Sequence, residues 1–451
     1  MRLTTRLRSN AMRLLASDFI LQRRRSRGRK RRVAQGQAPT IYYFHQVDDP
    51  YSFIIAQQLM SFSEASSVPI KPFLVSDPTD SFKGDAARFD AWAMEDANNI
   101  APFLGEPLPI ANGANTPSLP DESQRLAAQA ALAPALNGSL AEFTLQALHI
   151  GRALWRHEMH ATPDNIAGTI TRTERAKKAV TEGNSMRSSL GHYQSGTLYF
   201  DGEWYWGADR LPRLLERLIE EDHCPTMAAD FNPYQHGSIK PLTVDTPVVG
   251  AITLEYFPSL RSPYSAIAHA AVEALIERSG VNLRLRPVMP MLMRGVTAPR
   301  PKQQYIISDC TREARAKGIP FGNFVDPFGE PVRRGFALFP GALAQGKGMA
   351  FIGAYLSGAF SEGIDIDSKR GLQQVVTNAE LEWQATANHH DSIAWSDLLE
   401  DNVNAMLQAG LWGVPSFRIS SPGEPDFCCW GQDRIWRVEH ELARRSQAPL
   451  T

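Results

Sequence analysis

Between residue 40 and the end of the chain, short apolar runs bounded by turn formers alternate with longer amphipathic stretches, and each spacing predicts its element. In the second half, residues 252–257 and 281–288 read as strands on either side of a helix at 263–279. Helical periodicity dominates from about 302 to 408, two short strands follow at 416–419 and 427–430, and a helix at 435–444 ends the unit. This is an α/β pattern with a βαβ start, a helical insertion and a ββα finish.

The first half carries landmarks of the same pattern. An apolar strand leads into Asp49-Pro50-Tyr51-Ser52, and 213 residues later another leads into Ser262-Pro263-Tyr264-Ser265. Trp206-Gly207-Ala208-Asp209-Arg210 returns 224 residues later as Trp430-Gly431-Gln432-Asp433-Arg434, each followed by a helical stretch. Two landmarks in one order at nearly one offset predict two copies of a domain. The expected organisation is a basic tail at 1–39, a first domain at 40–222, a linker at 223–247 rich in Pro, Asn and His, and a second domain at 248–446.

Composition adds an asymmetry to this picture. The formal net charge of the 451 residues is -1, yet residues 1–33 hold twelve Arg or Lys against the single acid Asp18, so the remainder is strongly acidic. Such a block reads as a solvated, disordered tail. The alternative is a short helix with Leu3, Leu7, Leu14, Leu15, Phe19 and Ile20 along one side, laid on an anionic membrane or an acidic partner. Arginines interrupt the leucines too often for a secretory signal, and no apolar run is long enough to span a membrane. Four cysteines, none in C-x-x-C or zinc-ligand spacing, indicate neither a disulfide scaffold nor a structural metal and make a reducing, cytoplasmic setting the expectation.

Ser262-Pro263-Tyr264-Ser265 reads as a helix start, with Ser262 as N-cap and Pro263 at the first helical position. A helix start favours anions, so a thiolate beside the Ser262 hydroxyl would gain a hydrogen bond and the positive end of the dipole. These four residues alone are more simply read as an ordinary capped helix.

With Tyr256-Phe257 ahead of it, this segment resembles the S-P-[FY]-S helix start of kappa-class glutathione transferases and 2-hydroxychromene-2-carboxylate isomerases, a branch of the DsbA-like thioredoxin superfamily. Lys302-x-x-Tyr305-x-x-x-Asp309, Gly413-Val414-Pro415-Ser416 and Trp430-Gly431-Gln432-Asp433-Arg434 resemble three further motifs of that family, in the same order. The resemblance covers about 190 residues and, together with the internal repeat, implies two thioredoxin-like domains, each with an inserted helical subdomain. It implies glutathione as cofactor, with Ser262 bonding its sulfur, Pro415 as a cis-proline and Val414 offering its backbone to the cysteinyl part. Gln432 and Asp433 would take the γ-glutamyl end and Lys302 a carboxylate. Each has a plainer reading: Pro415 a turn, Asp433 a helix cap, Lys302 a surface residue. The asparagine usual before the lysine is not evident, which brings Arg294 in as a replacement, and Arg261 would add positive charge beside the thiolate.

The first copy departs from the motif. Asp49 stands where Ser262 does, and an aspartate there repels a thiolate; Gln194-Ser195-Gly196-Thr197 replaces the proline loop. The copy reads as degenerate, with an acidic site at Asp49 as the competing reading. His157-Glu158-Met159-His160 lacks zinc-protease spacing, His389-His390-Asp391 reads as a polar loop, and Cys428-Cys429 reads as apolar packing.

The expected function is a glutathione-dependent isomerase or transferase acting on a small electrophilic or aromatic substrate, with the two domains paired within the chain. The alternatives are a thiol-disulfide oxidoreductase relative lacking C-x-x-C and a non-catalytic binding scaffold.

Overall fold

The computed structural model describes residues 1–110, 118–159, 166–224, 231, 233, 251–388 and 394–447. Contacts divide the chain into two units, a C-terminal one of residues 1–20, 239–298 and 303–451, and an N-terminal one of residues 21–238 and 299–302.

Each unit is built on a four-stranded mixed sheet. In the N-terminal unit β1 (Ile41–His45) pairs in parallel with β2 (Ile70–Leu74) and antiparallel with β3 (Thr197–Phe200), which pairs antiparallel with β4 (Glu203–Trp206). In the C-terminal unit β5 (Thr253–Phe257) pairs in parallel with β6 (Asn282–Leu285) and antiparallel with β7 (Ser416–Ser421), which pairs antiparallel with β8 (Glu424–Trp430). The strand orders β2-β1-β3-β4 and β6-β5-β7-β8 are the same order. In both, a helix follows the first strand and a helical insertion separates the parallel pair from the closing hairpin.

The central strands are apolar because both neighbours and the covering helices exclude water from them. Leu254, Tyr256 and Phe257 are fully buried, and Tyr256 stacks on its cross-strand partner Phe417 with centroids 5.4 Å apart. Glu255 breaks the pattern. It is buried in β5, where the Arg286 and Arg418 guanidiniums donate to its two oxygens, which is how a carboxylate is tolerated there. The helix Pro263–Ser279 begins at its Ser262 cap and ends at Gly280, which adopts a left-handed φ of 63° that a side chain would oppose.

The helical insertion of the C-terminal unit has its own apolar centre, including Phe324, Phe336, Phe339, Phe351, Tyr355 and Phe360. Ala16 belongs to that cluster, with Met12 and Leu15 packed against it.

The expectation of a disordered tail at 1–39 is therefore corrected. Residues Leu3–Ala16 and Asp18–Ala34 are helices. On the C-terminal unit, Arg8 pairs with Asp326, Arg13 donates to the Phe324 carbonyl, and the Asp326 amide donates to the Ser9 hydroxyl. On the N-terminal unit, Arg25 pairs with Glu203, Arg29 with Glu221 and Arg32 with Asp201. The basic block is folded because its charges meet acids brought from far along the chain, a match invisible to local composition. Most of the expected linker at 223–247 lies outside the described residues. Among the described residues, no helix is long and apolar enough to cross a membrane.

Candidate active site

The loop after β5 delivers Ser262 to the start of its helix in an extended conformation, φ −96° and ψ 115°. Pro263 has no amide, the Ser265 amide donates to Ser262 Oγ at 3.1 Å, and the Ala266 amide donates to the Ser262 carbonyl. The turn is fixed from within: the Ser259 amide donates to the fully buried Ser265 hydroxyl. Ser262 itself is 8% exposed. Its hydroxyl reaches the Val414 carbonyl at 3.5 Å, longer than a strong O–H···O bond.

The Val414–Pro415 peptide bond is cis. Several contacts hold this loop. Arg294 donates to the Trp412 carbonyl at 2.9 Å, Ser416 Oγ to the Gly413 carbonyl at 2.8 Å, and the Gly431 amide to the Pro415 carbonyl at 2.8 Å. Gly413 lies against the Trp430 indole so closely that a Cβ would sit 2.1 Å from ring carbons. Ser262, Val414 and Pro415, distant in sequence, thus meet at one helix start, and the Gly431 amide brings the Gln432–Arg434 turn next to the loop.

Gln432 is buried, its carbonyl accepting from the Lys317 ammonium and its amide donating to the Asp433 carboxylate. Lys317 was not marked by the sequence, since one exposed lysine after a helix carries no motif; only the fold shows that it addresses this turn.

Lys302 is placed differently. It groups with the N-terminal unit, its ammonium donates to the Phe82 carbonyl at 2.7 Å, and burial lowers its pKa to about 8. Arg261 was expected to lend charge to the site, but its guanidinium donates to Asp326 at 2.9 Å and covers the Phe328 ring, so its charge is largely answered there. Arg294 acts as a brace of the Trp412 carbonyl, with burial lowering its pKa. Tyr264 donates to the buried Asp309, whose other oxygen accepts from Tyr305 and Arg312, so Tyr264, Tyr305 and Asp309 serve as a structural lock behind the helix start.

The N-terminal unit repeats this framework with a different head group. The Gln46 amide donates to Ser52 Oγ at 3.2 Å as Ser259 does to Ser265, and Tyr51 donates to Asp96 as Tyr264 does to Asp309. All four equivalences stand at the same 213-residue offset. Asp49 caps its helix, with Oδ1 accepting from the Tyr51 amide and Oδ2 from the Ser52 amide and hydroxyl. The helix start is thereby filled by the chain's own carboxyl. Gly196, at φ 56°, stands where a Cβ would be 2.9 Å from Asp49 Oδ2.

Burial raises the Asp49 pKa to about 6 against an ordinary 3.8, even with four hydrogen bonds acting in the opposite direction. The folded unit then holds a proton that the unfolded chain releases near 3.8, so stability falls as pH rises from about 4 to about 6. The full effect is about 3 kcal/mol. Asp49→Asn keeps a capping oxygen but cannot ionise. Urea unfolding between pH 4 and 8 is expected to lose that slope in the variant, and an unchanged slope would refute the assignment.

The weaker motifs gain nothing. His160, His389, His390 and Asp391 lie outside the described residues. Cys428 and Cys429 are buried in β8, and no metal-holding cluster of His, Cys, Asp or Glu occurs among the described residues.

Residues 253–443 match the family model of the DSBA-like thioredoxin domain. Among solved structures, the chain is similar to 2-hydroxychromene-2-carboxylate isomerase, at 22% identity and TM-score 0.36, over 43% of this chain and 95% of that one. It is also similar to the cytosolic disulfide reductase DsbM from Pseudomonas aeruginosa, at 20% identity and TM-score 0.35, over 43% and 98%. A structure of DsbM with GSH matches at 19% identity and TM-score 0.33, over 43% and 99%. No curated protein matches the chain.

Proposed function

We propose that the C-terminal unit is a glutathione-dependent isomerase or transferase, acting on a small electrophilic or aromatic substrate, with Ser262 as the residue that stabilises the glutathione thiolate. The observation that carries this reading is the Ser262 hydroxyl, set at the N-cap of a 17-residue helix and facing the Val414 carbonyl beside cis-Pro415.

The residues present fit that tripeptide. The 3.5 Å contact to Val414 leaves the Ser262 proton free to turn toward a sulfur acceptor. The helix start adds the favourable end of its dipole. Val414 offers backbone groups suited to pairing with an extended peptide. Asp433 carries the charge for an α-ammonium, and Lys317, already aimed at Gln432, the charge for a carboxylate. Glutathione bound here would supply the nucleophilic sulfur. The chain's own part is to lower the cost of the sulfur's charge, orient it and hold the peptide still. Lys302 is left out of these contacts because its ammonium already has the Phe82 carbonyl.

The N-terminal unit is inferred to be a second copy of this domain with changed chemistry, on the shared strand order and the bonds conserved at one offset. Disulfide exchange is disfavoured by serines at both 262 and 265.

Calorimetry of glutathione binding tests the proposal. The full chain is expected to bind glutathione, and Asp433→Ala is expected to weaken binding at least about tenfold, the scale of one lost charged hydrogen bond. Absence of binding at millimolar glutathione would overturn the proposal in favour of a scaffold.

A further inference from the structure

The helix Leu3–Ala16 has two apolar-capable faces, and the fold uses the less apolar one. At about 3.6 residues per turn, Thr5, Ser9, Met12 and Ala16 share one side. Thr5, Ser9 and Ala16 are buried, and Met12 packs on the apolar centre of the helical insertion. The opposite side carries Leu3, Leu7 and Leu14, which are 72%, 61% and 53% exposed. Phe19, just beyond the helix, is 65% exposed. Isolated exposed leucines are ordinary, but three on one stripe with a phenylalanine beyond them are not.

The charges beside the stripe have two fates. Arg8 and Arg13 are turned to the body, pairing with Asp326 and the Phe324 carbonyl. Arg2 and Arg6, on the flank between the docked and exposed faces, have exposed side chains that form no ion pair with a described residue. Docking has thus consumed the polar face and left outward a leucine stripe edged by unpaired arginine.

We propose that this face of the N-terminal helix is a lipid-binding surface that lies on an anionic membrane. An acidic protein groove would use the arginines but gives no reason for leucines exposed along the whole helix. A zwitterionic bilayer would use the leucines and not the arginines. An anionic headgroup layer over acyl chains takes both at the depth an interfacial helix reaches. The helix is pre-folded by its docked side, so binding does not bear the cost of ordering it.

The test is cosedimentation of the full chain with vesicles of phosphatidylcholine alone and of phosphatidylcholine with phosphatidylserine. Binding to the anionic vesicles is expected, about tenfold or more weaker on phosphatidylcholine alone and weakened by added salt. The double variant Leu7→Glu, Leu14→Glu is expected to lose it at least about tenfold, as is Arg2→Glu, Arg6→Glu. All four positions are exposed, so the thermal unfolding of the variants should match the parent, and the two variants check each other. No binding to anionic vesicles, equal binding to both kinds, or binding that neither variant alters overturns the proposal. So does binding to soluble polyglutamate in place of vesicles, which would mark an acidic-protein surface.

Discussion

Ser262→Ala is expected to remove the thiolate absorption band of bound glutathione at neutral pH and to lower turnover about 100-fold, while glutathione still binds. The magnitude follows from the role: a preorganised donor aimed at charge in a water-poor pocket contributes about two to three powers of ten to the rate. Ser262 is 8% exposed at a helix start, so its hydroxyl is largely shielded from water. The substitution also deletes a cap, since the Ser265 amide loses its acceptor, and that costs about 1 kcal/mol of stability. The two effects separate by measurement. Urea unfolding reads the cap, and the ultraviolet difference spectrum of the glutathione complex reads the thiolate. A full thiolate band in the alanine variant would show that the helix start alone, or another donor, stabilises the anion.

Asp326→Ala is expected to destabilise the C-terminal unit by about 3 kcal/mol, the scale of a buried ion pair broken from one side. The Asp326 side chain is 1% exposed and accepts from Arg261 at 2.9 Å, from Arg8 at 3.4 Å and from the Phe328 amide at 3.3 Å. Both arginines also lie over the Phe328 ring. Removing the carboxylate leaves Arg261, 19% exposed, without its acid directly before Ser262, and frees one anchor of the N-terminal helix. Protease cleavage within residues 1–20 should therefore rise along with the loss measured by urea. A change below about 1 kcal/mol would mean that solvent replaces the carboxylate, as it does for surface pairs.

Much of the architecture was legible because it depends on local chemistry. Ser262-Pro263 and Gly280 delimit one helix in the sequence as they do in the fold, because a cap, a residue without an amide and a residue free to take positive φ each act within a turn of themselves. β5 and β7 follow from apolar runs too short for helices. The 213-residue offset was visible in Asp49-Pro50-Tyr51-Ser52 and Ser262-Pro263-Tyr264-Ser265, and the fold extends it to Gln46 with Ser259 and to Asp96 with Asp309.

The tertiary structure decided everything that depends on a distant partner. Composition gave residues 1–33 as a basic block; only the placement of Asp326, Glu203 and Asp201 made helices of it, because a charge's fate depends on which acids lie within a few ångströms. The same physics turned Arg261 from a site charge into a structural one and brought Lys317 to Gln432. Burial, a property of the whole packing, raised the Asp49 pKa and lowered that of Lys302. The sequence by itself determined where the helix Pro263–Ser279 starts and stops, roughly where the strands lie, and which of its motif residues have the chemistry of a site. Which of them meet, and with what charge, was set by long-range packing, since dielectric and ion pairing are fixed by neighbours in space and not along the chain.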